Sequence, residues 1–151
     1  MWPVERRWPV FFGTFTPKLD DKGRIFLPAK FRDAMAEGLV VARGQENSLS
    51  VWSKAGFDQE TERLQRASLM DKATRDYVRM LFAGAFDDVP DKQGRVTIPP
   101  MLREYASLER DVVVVGAMSR LEIWNPEAWA TYTSEQVPRF SALDADLVPG
   151  T

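Results

Sequence analysis

Asp20-Asp-Lys-Gly-Arg-Ile-Phe-Leu-Pro-Ala-Lys-Phe-Arg32 returns 71 residues later as Asp91-Lys-Gln-Gly-Arg-Val-Thr-Ile-Pro-Pro-Met-Leu-Arg103. A second window follows each copy. Val40-Val-Ala-Arg-Gly44 through Leu49, Trp52 and Phe57 matches Val112-Val-Val-Val-Gly116 through Leu121, Trp124 and Trp129, at an offset of 72. Upstream, Gly13-Thr-Phe15 matches Gly84-Ala-Phe86. Across the two gap-free windows ten of 31 positions are identical, where chance at average composition gives about two. The chain is therefore a tandem repeat. A one-residue difference in length falls between Arg32 and Val40 in the first copy and the corresponding stretch of the second.

Each copy reads the same way. A short strand enters Asp-x-x-Gly, with Asp at the first and Gly at the fourth position of a type I turn. Gly23 and Gly94 then supply the positive φ of a bulged hairpin closure. An outgoing strand follows, Arg24–Leu27 or Arg95–Ile98, and a proline stops pairing and opens a short helix, at about 28–35 and 99–106. A second hairpin closes each copy, Leu39–Ala42 with Leu49–Trp52 and Val112–Val115 with Leu121–Trp124. Asn125-Pro126 reads as the cap and first position of a helix carrying Trp129. Trp52 and Trp124, at the ends of alternating apolar runs, read as core, as do Phe11, Phe12 and Phe15 of the opening strand.

Residues 54–83 are helical in pattern, with Phe57, Thr61 and Leu64 on one face and Met70, Ala73, Tyr77 and Leu81 on another. Ser68-Leu-Met-Asp71 reads as a capping box that restarts the helix after a break. The dispersed charges of this insert suit a solvated helical face. The expected organisation is an extension over 1–10, a first module over 11–53, the insert over 54–83, a second module over 84–136, and a loosely held tail over 137–151.

The 151 residues contain no cysteine and no histidine, so disulfides, thiolate zinc sites and every Ser-His or Cys-His catalytic pair are excluded. No cofactor is expected and no metal site. Asp20, Asp21, Asp87, Asp88 and Asp91 are hard-cation ligands by type, but aspartates favour turns for conformational reasons, and these do not converge on an evident pocket. No apolar run reaches the length of a membrane span, and Met1–Val10 carries prolines and charges where a signal peptide is apolar. The expectation is a cytoplasmic protein, not an enzyme and without a membrane partner.

Net charge is −2, which argues against whole-molecule attraction to nucleic acid. Its distribution is uneven. Lys18, Lys22, Arg24, Lys30 and Arg32 against Asp20 and Asp21 make residues 18–32 the one concentrated basic segment, while 104–151 carries −5. Arg24 and Arg95 emerge directly after glycine-closed turns, where a guanidinium suits phosphate or guanine O6 and N7 in a major groove. Lys18, Lys22, Lys30 and Arg32 would add sequence-independent phosphate contacts. Asp and Arg four apart across a turn also suit one another, and an Asp that holds the turn can orient the Arg for an outside partner. Spacing leaves both readings open.

Phe12-Gly-Thr-Phe-Thr-Pro-Lys-Leu-Asp-Asp-Lys-Gly-Arg24, Leu27-Pro-Ala-Lys-Phe-Arg32 and Asp91-Lys-Gln-Gly-Arg95 together resemble the MraZ family, over about residues 11–136. The resemblance implies an α+β chain of two tandem AbrB-like swapped-hairpin β-barrel modules with short helices, assembled into ring-shaped homo-oligomers. It implies a nucleoid-associated transcriptional regulator, usually a repressor, bound to double-stranded DNA at short direct repeats upstream of the division and cell-wall gene cluster, its own gene included. The family motif falls on Asp20 and Arg24 and on Asp91 and Arg95. Family members usually begin near the first strand, so residues 1–10, with Arg6 and Arg7, lie outside the resemblance. The alternative is a non-enzymatic oligomeric module whose turns dock a protein.

Overall fold

The computed structural model describes residues 10–144; the expectations for Arg6 and Arg7 and for residues 145–151 lie outside them. Eight strands form, at Thr14–Phe15 (β1), Arg24–Phe26 (β2), Leu39–Arg43 (β3), Leu49–Ser53 (β4), Phe86–Asp88 (β5), Arg95–Thr97 (β6), Val113–Gly116 (β7) and Leu121–Trp124 (β8). Helices occupy Arg32–Met35 (α1), Lys54–Gln65 (α2), Lys72–Ala83 (α3), Pro100–Tyr105 (α4) and Pro126–Ala142 (α5). A 3₁₀ turn at Ala29–Phe31 precedes α1. The second hairpin of each copy is as the sequence predicts, with Val41 opposite Val51 and Val114 opposite Ile123.

The first hairpin of each copy is not. Asp20 N donates to Arg24 O at 2.8 Å and Gly23 N to Asp20 O at 3.0 Å, so the turn closes. After that rung the two arms part. β1 pairs antiparallel with β7 of the other copy, β5 with β3, and β2 with β6. The six-stranded sheet therefore runs β1-β7-β8-β4-β3-β5, and β2-β6 is a separate two-stranded ribbon. Exchanging each strand for its repeat counterpart reverses this order onto itself, which is the mark of an internal two-fold relation. Among the described residues no barrel closes: β1 and β5 are the edges of the six-stranded sheet, and Pro28 and Pro99 follow the three-residue motif strands β2 and β6.

The core explains the exchange. Ile25, Leu27, Val96 and Ile98 of the ribbon segments pack on Leu49, Val51, Leu121 and Ile123 of β4 and β8, with Phe31, Met35 and Leu102 alongside. Each such side chain, almost fully removed from water, contributes about 1.5–3 kcal/mol. A two-stranded ribbon is marginal alone; here one face is a lid on the sheet. The sheet's other face carries two smaller clusters, Trp52 and Ala42 under α2 and α3, and Trp124, Val113 and Val115 under α5. Both tryptophans are core, as expected.

Four local expectations are corrected. Phe12 is half exposed, with Lys30 Nζ 3.4 Å from its ring centre, because strand alternation sends Phe11 inward and its neighbour out. Asp71, not Ser68, caps α3, accepting from Thr74 N at 3.1 Å. That start turns Val78 and Leu81 toward Leu64 and Trp52 and leaves Met70, Ala73 and Tyr77 exposed. Finally, α5 continues through Pro138 to Ala142, where a tail was expected. Asn125 caps it, and Trp129 and Tyr132 anchor its first two turns on Trp124.

The ribbon's two faces should differ sharply under mutation. Ile25→Ala is expected to cost about 2–5 kcal/mol, whereas Thr97→Ala on the outer face should stay within about 0.5 kcal/mol, in urea unfolding. Equal losses would show the register to be wrong.

Candidate nucleic-acid interface

The two motif turns are built alike. Asp20 Oδ1 accepts from Lys22 N and Arg24 N, both at 2.9 Å, and its Oδ2 accepts from Arg24 Nε at 2.8 Å. Asp91 Oδ1 accepts from Gln93 N and Arg95 N at 2.9 Å, and its Oδ2 from Arg95 Nε at 2.7 Å. One carboxylate thus ties the turn and holds the guanidinium. The backbone N–H of Arg24 lowers the Asp20 carboxyl below its ordinary value of 3.8, against a smaller opposing effect of burial and with help from the Arg24 side chain. Arg95 does the same for Asp91. The contact is made through Nε alone, and among the described residues no hydrogen bond engages the terminal Nη groups of Arg24 or Arg95. Internal pairing and outward presentation therefore coexist.

Each turn is finished by the other copy. Ile98 N donates to Gly23 O and Leu27 N to Gly94 O, both at 2.8 Å. Gly23 and Gly94 have φ of +76° and +78°, a region that costs an L-residue about 1–2 kcal/mol. A Cβ at Gly23 would also come 2.9 Å from Arg103 Cζ, and one at Gly94 2.6 Å from Arg32 Nε. Each arginine donates within its own copy, Arg32 Nε to Leu27 O at 3.1 Å and Arg103 Nε to Ile98 O at 2.9 Å, while its guanidinium lies against the glycine of the opposite turn. Arg32, read from the sequence as a phosphate contact, is exposed and lies beside the Gly94 turn. Arg103 is its equivalent, which the sequence reading did not single out although the aligned copies place it opposite Arg32.

Strand register decides what the interface presents. Arg24 lies opposite Thr97 and Arg95 opposite Phe26, with Ile25 and Val96 between them facing the core. Arg24, Phe26, Arg95 and Thr97 therefore share the outer face. The two arginines are diagonal neighbours, a relation of about 7–8 Å. Of the lysines, Lys22 sits exposed on the first turn, Lys18 is paired with Asp111 at 2.6 Å, and Lys30 lies over Phe12. The structure thus brings Arg24, Lys22 and Arg95 to one ribbon and gives Lys18 and Lys30 other contacts.

Of the other aspartates, Asp88 has work in the fold. It accepts from Val89 N and Thr97 N, at 2.9 Å each. Among the described residues no group of three acidic side chains is poised for a metal, and no helix is long and apolar enough to cross a membrane.

Comparison with known proteins matches the same halves. The family model for MraZ protein, described as antitoxin-like, covers residues 10–80 and again 81–148. A protein named transcriptional regulator MraZ from Micrococcus luteus is 52% identical over 141 residues, covering 93% of this chain and 99% of the relative. One of the same name from Leifsonia xyli subsp. xyli is 51% identical over the same shares. Another from Nocardioides is 54% identical over 134 residues, 89% of this chain and 93% of the relative.

The lowered carboxyls give a signed expectation. A depressed folded pKa adds stability above 3.8 that is lost as pH falls through the lowered value. The urea midpoint of the native protein should exceed that of Asp20→Asn/Asp91→Asn at pH 5–7, and the gap should close progressively below 3.8. An advantage that persists undiminished into strong acid would rule out these two carboxylates as its source.

Proposed function

The chain belongs to the MraZ family, and from that premise we propose that it is a DNA-binding transcriptional regulator acting as a repressor. Its targets are promoter direct repeats in double-stranded DNA upstream of the division and cell-wall gene cluster, including its own gene. The observation that carries this reading is the outer face of the β2-β6 ribbon, where Arg24 and Arg95 lie diagonally across the two strands, each held by an aspartate. A two-stranded ribbon fits the major groove of B-DNA. A guanidinium already held in place loses less freedom on binding, and its Nη groups suit phosphate oxygens or guanine O6 and N7. The exchange of strands between the copies supports a kinship of both modules with AbrB-like swapped hairpins.

No catalytic role is assigned to any residue. Repression is steric: a ring-shaped homo-oligomer seated on several repeats excludes polymerase. Oligomerisation also answers the charge problem. One pair of exposed arginines on an acidic protein binds weakly, but several ribbons meeting successive repeats bind with the effective concentration of a linked system.

Between the copies, the first should dominate. Residues 18–32 around Arg24 in sequence sum to +3, whereas in 87–103 Asp87, Asp88 and Asp91 balance Lys92, Arg95 and Arg103. In binding titrations on DNA upstream of the gene, Arg24→Ala should lose roughly tenfold or more in affinity, as expected for a charge-assisted contact, and more than Arg95→Ala. Log affinity should fall with log salt at about −0.9 per phosphate neutralised, and removing repeats should weaken binding steeply. Salt-insensitive behaviour, or no preference for this DNA, would favour a protein-docking role instead.

A further inference from the structure

The internal two-fold relation makes Arg24 and Arg95 equivalent, but the residues that face them across the ribbon are not. Phe26 stands opposite Arg95, and its repeat counterpart Thr97 stands opposite Arg24. Phe26 is 47% exposed on a face whose other occupants are polar, although a core lies on the opposite side of the same strand. Ile25 and Val96 fill that core, so Phe26 is not displaced from it. The ring is held out by strand alternation.

An exposed phenyl between two guanidiniums has a definite complement in a major groove. Arginine suits guanine, and an apolar side chain suits the C5-methyl of thymine, the one apolar group on the groove edge. We propose that Phe26 is a specificity-determining residue that packs on a thymine methyl, and that the Phe26–Thr97 difference gives the ribbon a polarity. A perfectly two-fold reader would sit on a site in either orientation. A phenyl on one side only would select one direction, which is what tandem direct repeats require. The inference rests on the DNA-binding reading above and deepens the same surface.

The test separates the two. Affinity is measured for promoter DNA and for the same DNA with deoxyuridine in place of thymine, which removes only the methyl groups. Proteins compared are the unaltered chain, Phe26→Ala, Thr97→Ala and Arg24→Ala, each checked for an unchanged melting curve. The unaltered chain should bind deoxyuridine DNA about three- to fivefold more weakly, the loss expected for one buried methyl. Phe26→Ala should show a similar loss on thymine DNA and no further loss on deoxyuridine DNA. Thr97→Ala should retain the full methyl effect, and single deoxyuridine replacements should locate that effect on one side of each repeat.

Equal binding of both DNAs by the unaltered chain would overturn the proposal without requiring any variant to fold. Losses that add independently in Phe26→Ala would overturn it too. If Arg24→Ala binds as well as the unaltered chain, the DNA reading of the ribbon itself fails. If Arg24→Ala is weak while Phe26→Ala is not, only the role of Phe26 fails.

Discussion

Neither motif turn in this chain is completed by its own copy. Gly23 O takes its hydrogen from Ile98 N, Gly94 O takes its from Leu27 N, and three residues of β2 ladder with three of β6 between those bonds. Two strands this short have too few hydrogen bonds to persist in water. They persist because the same pairing turns Ile25 and Val96 onto the sheet and frees the opposite face for polar side chains. Everything else follows from that cross-copy contact. The outer strands must part from their turns to reach the sheet, and Arg32 and Arg103 come to lie against the glycine of the opposite turn.

The arrangement pairs each arginine while leaving its terminal Nη groups without a hydrogen bond among the described residues. A carboxylate that accepted both terminal nitrogens would consume the guanidinium. Asp20 and Asp91 instead accept Nε and two backbone hydrogens, so each acid serves mainly to stiffen the loop and aim the base. Half-exposed ion pairs of this kind add little stability. Their value is geometric, since rotamer freedom removed in the free protein need not be removed on binding.

Much of this was legible beforehand. The repeat, the second hairpins, the turn glycines, the cap at Asn125, and both buried tryptophans depend on neighbours within a few residues. The misread positions share a different cause. Phe12 has a neighbour of its own kind in Phe11, yet strand alternation covers one ring and exposes the other. Met70 and Tyr77 satisfy a helical period, but the rotation of α3 is set by the Asp71 cap and by Leu64 and Trp52, which lie elsewhere in the chain.

Local chemistry, then, was enough to announce two copies of a glycine-closed turn with an aspartate and an arginine at fixed spacing, because φ preferences, proline stops and side-chain-to-backbone bonds act within a handful of residues. It was not enough to say which strand each copy would pair with. Hydrogen-bond ladders are indifferent to sequence distance, and the choice fell to whichever pairing buried Ile25, Leu27, Val96 and Ile98 together against β4 and β8. That long-range choice, made by the hydrophobic surface of the whole chain, is what set Arg24, Phe26, Arg95 and Thr97 on one face.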